Sequence, residues 1–132
     1  MLTNMDIIFP GGKKVEAHYK GFNIQTDQPK NNSGEGSAPT PFDLFLSSIG
    51  TCAGVYVLNF CQERNINTDN IKLTLAIDKD NETGMIGKIE IIINLPADFP
   101  EKYKQAVIKT AQLCTVKKHL QNPPVIEIKT TL

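Results

Sequence analysis

Between Leu44 and Cys61 the chain runs for 18 residues without a charge. A helix on a protein surface keeps a polar face opposite its apolar stripe. Here Phe45, Leu46, Ile49, Val55, Tyr56, Val57, Leu58 and Phe60 project around the whole cylinder, which predicts a helix enclosed on all sides. Pro41 suits a first helical turn and Asp43 the positive end of the helix dipole. The helix is therefore expected to start at Thr40 or Pro41 and to end near Arg64, stopped by "NINTDN". Two serines, two glycines, a threonine and an asparagine dilute the run too far for a membrane span. A chain of 132 residues is expected to be one domain, 1–132, and it has few other elements with which to surround a helix. A second copy of the chain is the simplest source of that cover. Gly50 and Gly54, with Thr51 and Ala53 between them, make a flat patch where another backbone can approach. A homodimer is the expectation.

The rest of the chain reads as strands and shorter helices. "KVEAHYKG" and "GFNIQTD" alternate as strands around a turn at Gly21, and "QPKNNSGEGSAPTP" is a loop that can bury almost nothing. After the long helix, Ile71, Leu73, Leu75 and Ile77 share one face of a strand, and Ile89, Ile91, Ile93 and Leu95 share one face of the next. The polar "KDNETG" between them predicts a hairpin. "DFPE" has the capping-box pattern, Asp98 with Glu101 three residues on. It predicts a helix whose Phe99, Tyr103, Ala106, Val107, Thr110 and Leu113 lie on one side. A break near Cys114, a short helix over "TVKKHL", a stop at "NPP" and a last strand "VIEIKTT" complete the chain. The fold class is α+β with antiparallel pairing.

Charge excludes several functions. Fourteen basic residues balance fourteen acidic ones, so no net field draws the protein to nucleic acid or to an anionic membrane. All the basic residues but Arg64 are lysine, which leaves little capacity for bidentate recognition of phosphate or carboxylate. The apolar stretch Ile7 to Phe9 is much shorter than a signal-peptide core, so a cytoplasmic location is expected. In that reducing compartment Cys52, Cys61 and Cys114, with no C-x-x-C pair, are expected to be free thiols.

Cys52 and Cys61 are nine residues apart on one helix and face opposite ways. Cys52 and Cys114 are the better pair. Cys114 lies where two helical segments meet, so free N–H groups opening the second, together with Lys117 and Lys118, are expected to lower its pKa. Free cysteine otherwise behaves as a small buried hydrophobe, the bland alternative for all three. His18 and His119 read as hydrogen-bonded residues, and three Cys with two His lack zinc-site spacing, so neither metal nor cofactor is expected.

"PTPFDLFLSSIGTCAG", followed some sixty residues later by "AQLCTVKKHL", resembles the OsmC/Ohr family of osmotically inducible and organic hydroperoxide resistance proteins. The likeness covers nearly the whole chain. It implies an OsmC-like α+β fold, antiparallel sheets around a long buried central helix, in an intertwined homodimer. It further implies that Cys52 attacks a peroxide as a thiolate and becomes a sulfenic acid, that Cys114 condenses with it to a disulfide, and that an external dithiol reduces the disulfide. The family's peroxidases also use an Arg from the N-terminal strands and a Glu ten residues ahead of the reactive Cys. Here that position is Phe42, with Asp43 adjacent. No Arg precedes Cys52; Lys13, Lys14 and Lys20 are the cations there, and Lys13 or Lys14 with Asp43 are the candidate supporting groups. The resulting expectation is a thiol-dependent peroxidase acting on organic hydroperoxides. The alternative is a non-catalytic dimer that binds a small apolar molecule, with Phe42, Phe45 and Tyr56 lining the site.

Overall fold

The computed structural model describes residues 1–131. Its backbone gathers into two compact units, Met1–Ser47 and Ser48–Leu132, and one helix, α1 (Pro41–Glu63), carries the chain from the first into the second.

The first unit is a three-stranded antiparallel meander, β1 (Asp6–Gly11), β2 (Lys14–Tyr19) and β3 (Phe22–Thr26), in the order β1-β2-β3. The expected strands are β2 and β3. Lys20 and Gly21 join them with φ of 52° and 81°, the two positive values that a tight two-residue hairpin turn requires, and Tyr19 faces Phe22 across it. β1 was not anticipated: Ile7 to Phe9 is too brief to register as a periodic segment, and the β1–β2 register shifts between Ile8 and Gly11. The loop that follows differs from expectation. It buries the carboxylate of Asp27, 1% exposed, which accepts from the N–H groups of Gln28 (2.7 Å), Glu35 (3.3 Å) and Ser37 (3.1 Å) and from Ser37 Oγ (2.6 Å). The Asp27 N–H in turn donates to Pro39 O at 3.1 Å. A Cβ on Gly34 would lie 1.9 Å from Gln28 O, so the loop closes only over glycine. At its exit Thr40 and Asp43 cap α1 reciprocally: Asp43 N–H donates to Thr40 Oγ1 (3.1 Å) and Thr40 N–H to the Asp43 carboxylate (3.3 Å).

The second unit packs the rest of α1 with a hairpin, β4 (Lys72–Lys79) and β5 (Ile86–Asn94), and with α2 (Lys104–Ala111) and α3 (Thr115–Gln121). Leu73 pairs with Ile93, Leu75 with Ile91 and Ile77 with Ile89, so the alternating apolar positions share one face as expected. Val57, Phe60, Cys61, Phe99 and Val107 form the buried core, backed by Ile71, Leu73, Ile93, Leu95, Tyr103 and Ala106. Gly50 is small because Leu75 leans over it: an added Cβ would meet Leu75 Cδ1 at 2.8 Å. Nothing lies within 4 Å of the corresponding position at Gly54. By length and composition α1 could cross a membrane, but Ile49, Ala53, Val57, Phe60 and Cys61 bury one face of it in the protein. The expected enclosure is incomplete within one chain, since Val55 is 51% exposed.

Three expectations are corrected here. "DFPE" does not cap α2: a 3₁₀ turn over Glu101–Tyr103, entered from Pro100 with no side-chain cap, precedes the helix. Leu113 is exposed, because α2 ends at Ala111 and the chain leaves the helical register before reaching it. "VIEIKTT" pairs with no strand among the described residues, leaving Val125, Ile126 and Ile128 more than 80% exposed.

Candidate functional site

The two cysteines expected to act together meet in the second unit. Cys52 lies midway along α1 between Thr51 and Ala53, and another element reaches its sulfur. That element is the start of α3. Cys114 is its N-cap, with φ −48° and ψ 126°, and the Cys114 carbonyl accepts the first bond of the helix from Lys118 N–H at 3.1 Å. The N–H groups of a first helical turn have no carbonyl of their own helix to bond. Here those of Thr115 and Val116 point at Cys52 Sγ, and the Cys114 thiol is within hydrogen-bonding reach of the same sulfur.

The pair is electrostatically asymmetric. Burial pushes the Cys52 thiol up, but Val116 N–H, the Cys114 thiol and Thr115 N–H together outweigh it and hold Cys52 below the usual thiol value of 9.0. Cys114 moves the other way. Burial raises it, and its hydrogen bond and charge interaction with Cys52 raise it further, against the N–H groups of Lys117 and Val116. This reverses the expectation for Cys114. The N–H groups of an N-terminal turn were expected to serve the cysteine at the cap; two of them serve the cysteine across from it, and Lys117 reaches Cys114 through its backbone. Of the two sulfurs, Cys52 is the one whose thiolate the surroundings favour.

Cys61 is a core residue, fully buried, its thiol pushed up by burial against the charge of Arg64. Arg64 is exposed just past the end of α1, and it also packs back on the helix. Its guanidinium lies 3.7 Å from the Phe60 ring centroid and 5.3 Å from that of Tyr103, and Nη1 donates to Phe60 O at 3.0 Å. The candidate supporting groups lie in the first unit. Lys14 Nζ is paired with Glu35 at 2.9 Å, which raises its pKa, Lys13 is exposed in the β1–β2 turn, and Asp43 caps α1. His18 bonds Glu16 at 2.8 Å and His119 Nδ1 donates to Thr115 O at 2.8 Å, as hydrogen-bonded residues should. Among the described residues no group of His, Cys, Asp and Glu could hold a metal ion.

Two features needed the structure. Tyr56, expected only as a lining residue of an apolar site, lies one turn beyond Cys52 and shares a 3.2 Å hydrogen bond with Thr115 Oγ1. A cleft of about 600 Å³ is lined by Ile49, by Ile89, Ile91 and Ile93 of β5, by Ile108 of α2 and by Cys114. Residue spacing on α1 already puts Tyr56 on the Cys52 face, since positions four apart share a helix face, but Thr115 arrives from another element. The cleft needs β5 and α2 placed together before it exists.

The fold recurs in known structures at low sequence identity. An osmotic stress induced and detoxification response protein from Psychrobacter arcticus superposes with a TM-score of 0.72 at 21% identity, over 89% of this chain and 88% of the other. An OsmC-like protein from Mycoplasma pneumoniae gives 0.64 at 15%, over 93% and 91%. The organic hydroperoxide resistance protein of Bacillus subtilis gives 0.53 at 18%, over 93% and 94%. No curated protein sequence matches the chain. The family model for OsmC-like protein matches residues 34–129, a span that takes in both Cys52 and Cys114, and the chain belongs to the OsmC/Ohr family.

Proposed function

We propose that this protein is a thiol-dependent peroxidase that reduces organic hydroperoxides in a reducing compartment such as the cytoplasm. The Cys52 thiolate attacks the terminal oxygen of the hydroperoxide; the O–O bond breaks, Cys52 becomes a sulfenic acid, and the alkoxide takes up a proton and leaves as an alcohol. Cys114 then attacks the sulfenic sulfur, a disulfide forms and water departs. An external dithiol restores both thiols by exchange. The sequence needs no cofactor, because both electrons come from the two sulfurs.

What supports this reading is the asymmetry of the pair: Val116 N–H, the Cys114 thiol and Thr115 N–H outweigh burial and lower Cys52, while burial and Cys52 itself raise Cys114. The relatives described as organic hydroperoxide resistance proteins, from Legionella pneumophila and Bacillus subtilis, favour the same substrate class. Exposure of the reduced protein to limited cumene hydroperoxide should remove two thiols per chain, recoverable with a dithiol. Cys114→Ser should trap a sulfenic acid on Cys52. Slow loss of thiols with no trapped sulfenic acid would defeat the proposal.

The apolar cleft favours a second reading, a binding protein for a small apolar molecule, since the chain lacks an Arg ahead of Cys52. A ligand that binds without consuming thiols would select it. In either reading we place the protein in a homodimer. The exposed Val55 and Leu58 on α1, the open Gly54, and the unpaired Val125, Ile126 and Ile128 are apolar surface that a second copy would cover. Sedimentation at the mass of one chain would remove that placement.

A further inference from the structure

The Cys52 site depends on α3 keeping its first turn against α1. Across that junction the side chains of Tyr56 and Thr115 share the 3.2 Å hydrogen bond, 59 residues apart in sequence. Tyr56 lies four residues beyond Cys52, on the same side of α1, and Thr115 is the first residue of α3 and one of the two that offer an N–H to the Cys52 sulfur. The bond and the donor therefore belong to one residue. Val116 follows, with its N–H shared between the two sulfurs. Burial anchors the Cys114 cap, 2% exposed, but the ring of Tyr56 is half-buried and Thr115 is exposed, so the tie acts on the turn just beyond that anchor.

We infer that Tyr56 is a positioning residue, whose hydroxyl ties Thr115 to α1 and so holds the Thr115 and Val116 N–H groups on the Cys52 sulfur. The inference rests on the reading of Cys52 as the ionising sulfur, and it does not require that a peroxide be the substrate. The tie restricts rotation of α3 about the Cys114 cap. Without it the two N–H groups share their time between the sulfur and water. Cys114 is the titratable side chain that bonds Cys52, and Lys117 contributes its backbone N–H to Cys114, so neither replaces the tie.

The test uses iodoacetamide, which alkylates thiolates whatever the natural substrate. Tyr56→Phe keeps the ring and removes the hydroxyl; it should slow alkylation of Cys52 at neutral pH about threefold and move the pH midpoint of that reaction upward. Thr115→Val should do the same, the double variant should add nothing further, and Thr115→Ser should restore the wild-type profile. Thermal unfolding reports separately whether either variant loses overall stability. An unchanged midpoint in both single variants, or independent and additive effects, would overturn the inference. If wild type shows the low midpoint yet consumes no cumene hydroperoxide, the peroxidase reading fails while this one stands.

Discussion

The protein gathers hydrogen-bond donors around two acidic groups by the same device, and in the reading proposed above only one of them is a reagent. In the first unit the Asp27 carboxylate gathers three backbone N–H groups and one side-chain donor, Ser37 Oγ. In the second, Cys52 Sγ gathers two backbone N–H groups and one side-chain donor, the Cys114 thiol. The donors act alike, and the intrinsic acidity of the acceptor separates the outcomes. Asp27 starts at 3.8 and is drawn down to about 2 by Ser37 Oγ and N–H, then by Gln28 and Glu35 N–H against burial, so it stays charged at every physiological pH and serves as a clasp for the loop. Cys52 starts at 9.0, so the same kind of pull moves it toward neutrality, where its charge and reactivity respond to small changes.

The largest test of the contrast is Cys52→Ser. A serine hydroxyl in the same place gains nothing from two N–H groups near neutral pH, and peroxide consumption should fall by roughly a thousandfold or more. A variant that kept a tenth of the activity would move the reagent role elsewhere. Asp27→Asn should leave thiol chemistry intact and act on the fold. An amide accepts through one oxygen, so it loses charge-assisted bonds and sets an N–H₂ against donor N–H groups, lowering the melting temperature. The pH dependence follows from the direction of the shift. Because folding depresses the Asp27 pKa, its stabilisation is fully present above 3.8 and is lost as pH falls toward about 2. The wild type should therefore lose stability over that window, and the Asn variant should show a flatter acid limb; identical limbs would mean the carboxylate is not the clasp.

Thr115→Pro cuts into the other site with less force. Thr115 occupies the first position of α3, where proline is tolerated, and Cys114 before it already has the extended backbone that precedes proline. The substitution removes one N–H from Cys52 and the hydroxyl from Tyr56 together. Alkylation of Cys52 at pH 7 should slow about tenfold, more than for Thr115→Val, which removes the hydroxyl alone. Equal effects of the two would show that the Thr115 N–H contributes nothing beyond its orientation.

Much of this arrangement is legible in the sequence where periodicity or local chemistry carries it. The uncharged run gave α1 to within a residue at each end, and the alternation of Ile71 to Ile77 against Ile89 to Leu95 gave the β4–β5 hairpin. Helical phase sent Cys61 away from Cys52 and left Cys52 and Cys114 as the better pair if two thiols act together, while the roles expected of them came from the family resemblance. What stayed hidden depends on tertiary placement. Asp27 sits at the edge of a Gly, Ser and Pro stretch that reads as solvent-exposed, and its burial follows from Gly34 folding back over Gln28. The direction of the N–H groups at α3 was misjudged because a cap residue and its neighbours are adjacent in sequence, whereas Cys52 arrives from another element. "VIEIKTT" has strand chemistry but joins neither sheet among the described residues, and a strand exists only in a sheet.

The smallest effect comes from a matched pair, Ser37→Ala and Cys114→Ala, each removing the one side-chain donor from its anion. Ser37 Oγ makes the largest contribution to the depression of Asp27, so its loss should let the carboxyl climb from about 2 part of the way back to 3.8. At pH 7 the group remains ionised, the three N–H groups remain, and the melting temperature should drop only by a few degrees, with the acid limb shifted to slightly higher pH. Loss of the Cys114 thiol lets Cys52 climb toward 9.0, and at pH 7 that change falls directly on the thiolate fraction, readable as slower alkylation. The deletions are alike in kind. Their consequences at neutral pH differ because one anion titrates far below ambient pH and the other approaches it from above. Should Ser37→Ala alter thiol reactivity, or Cys114→Ala leave Cys52 alkylation untouched at pH 7, the distinction between a clasp and a reagent built from the same donors would not hold.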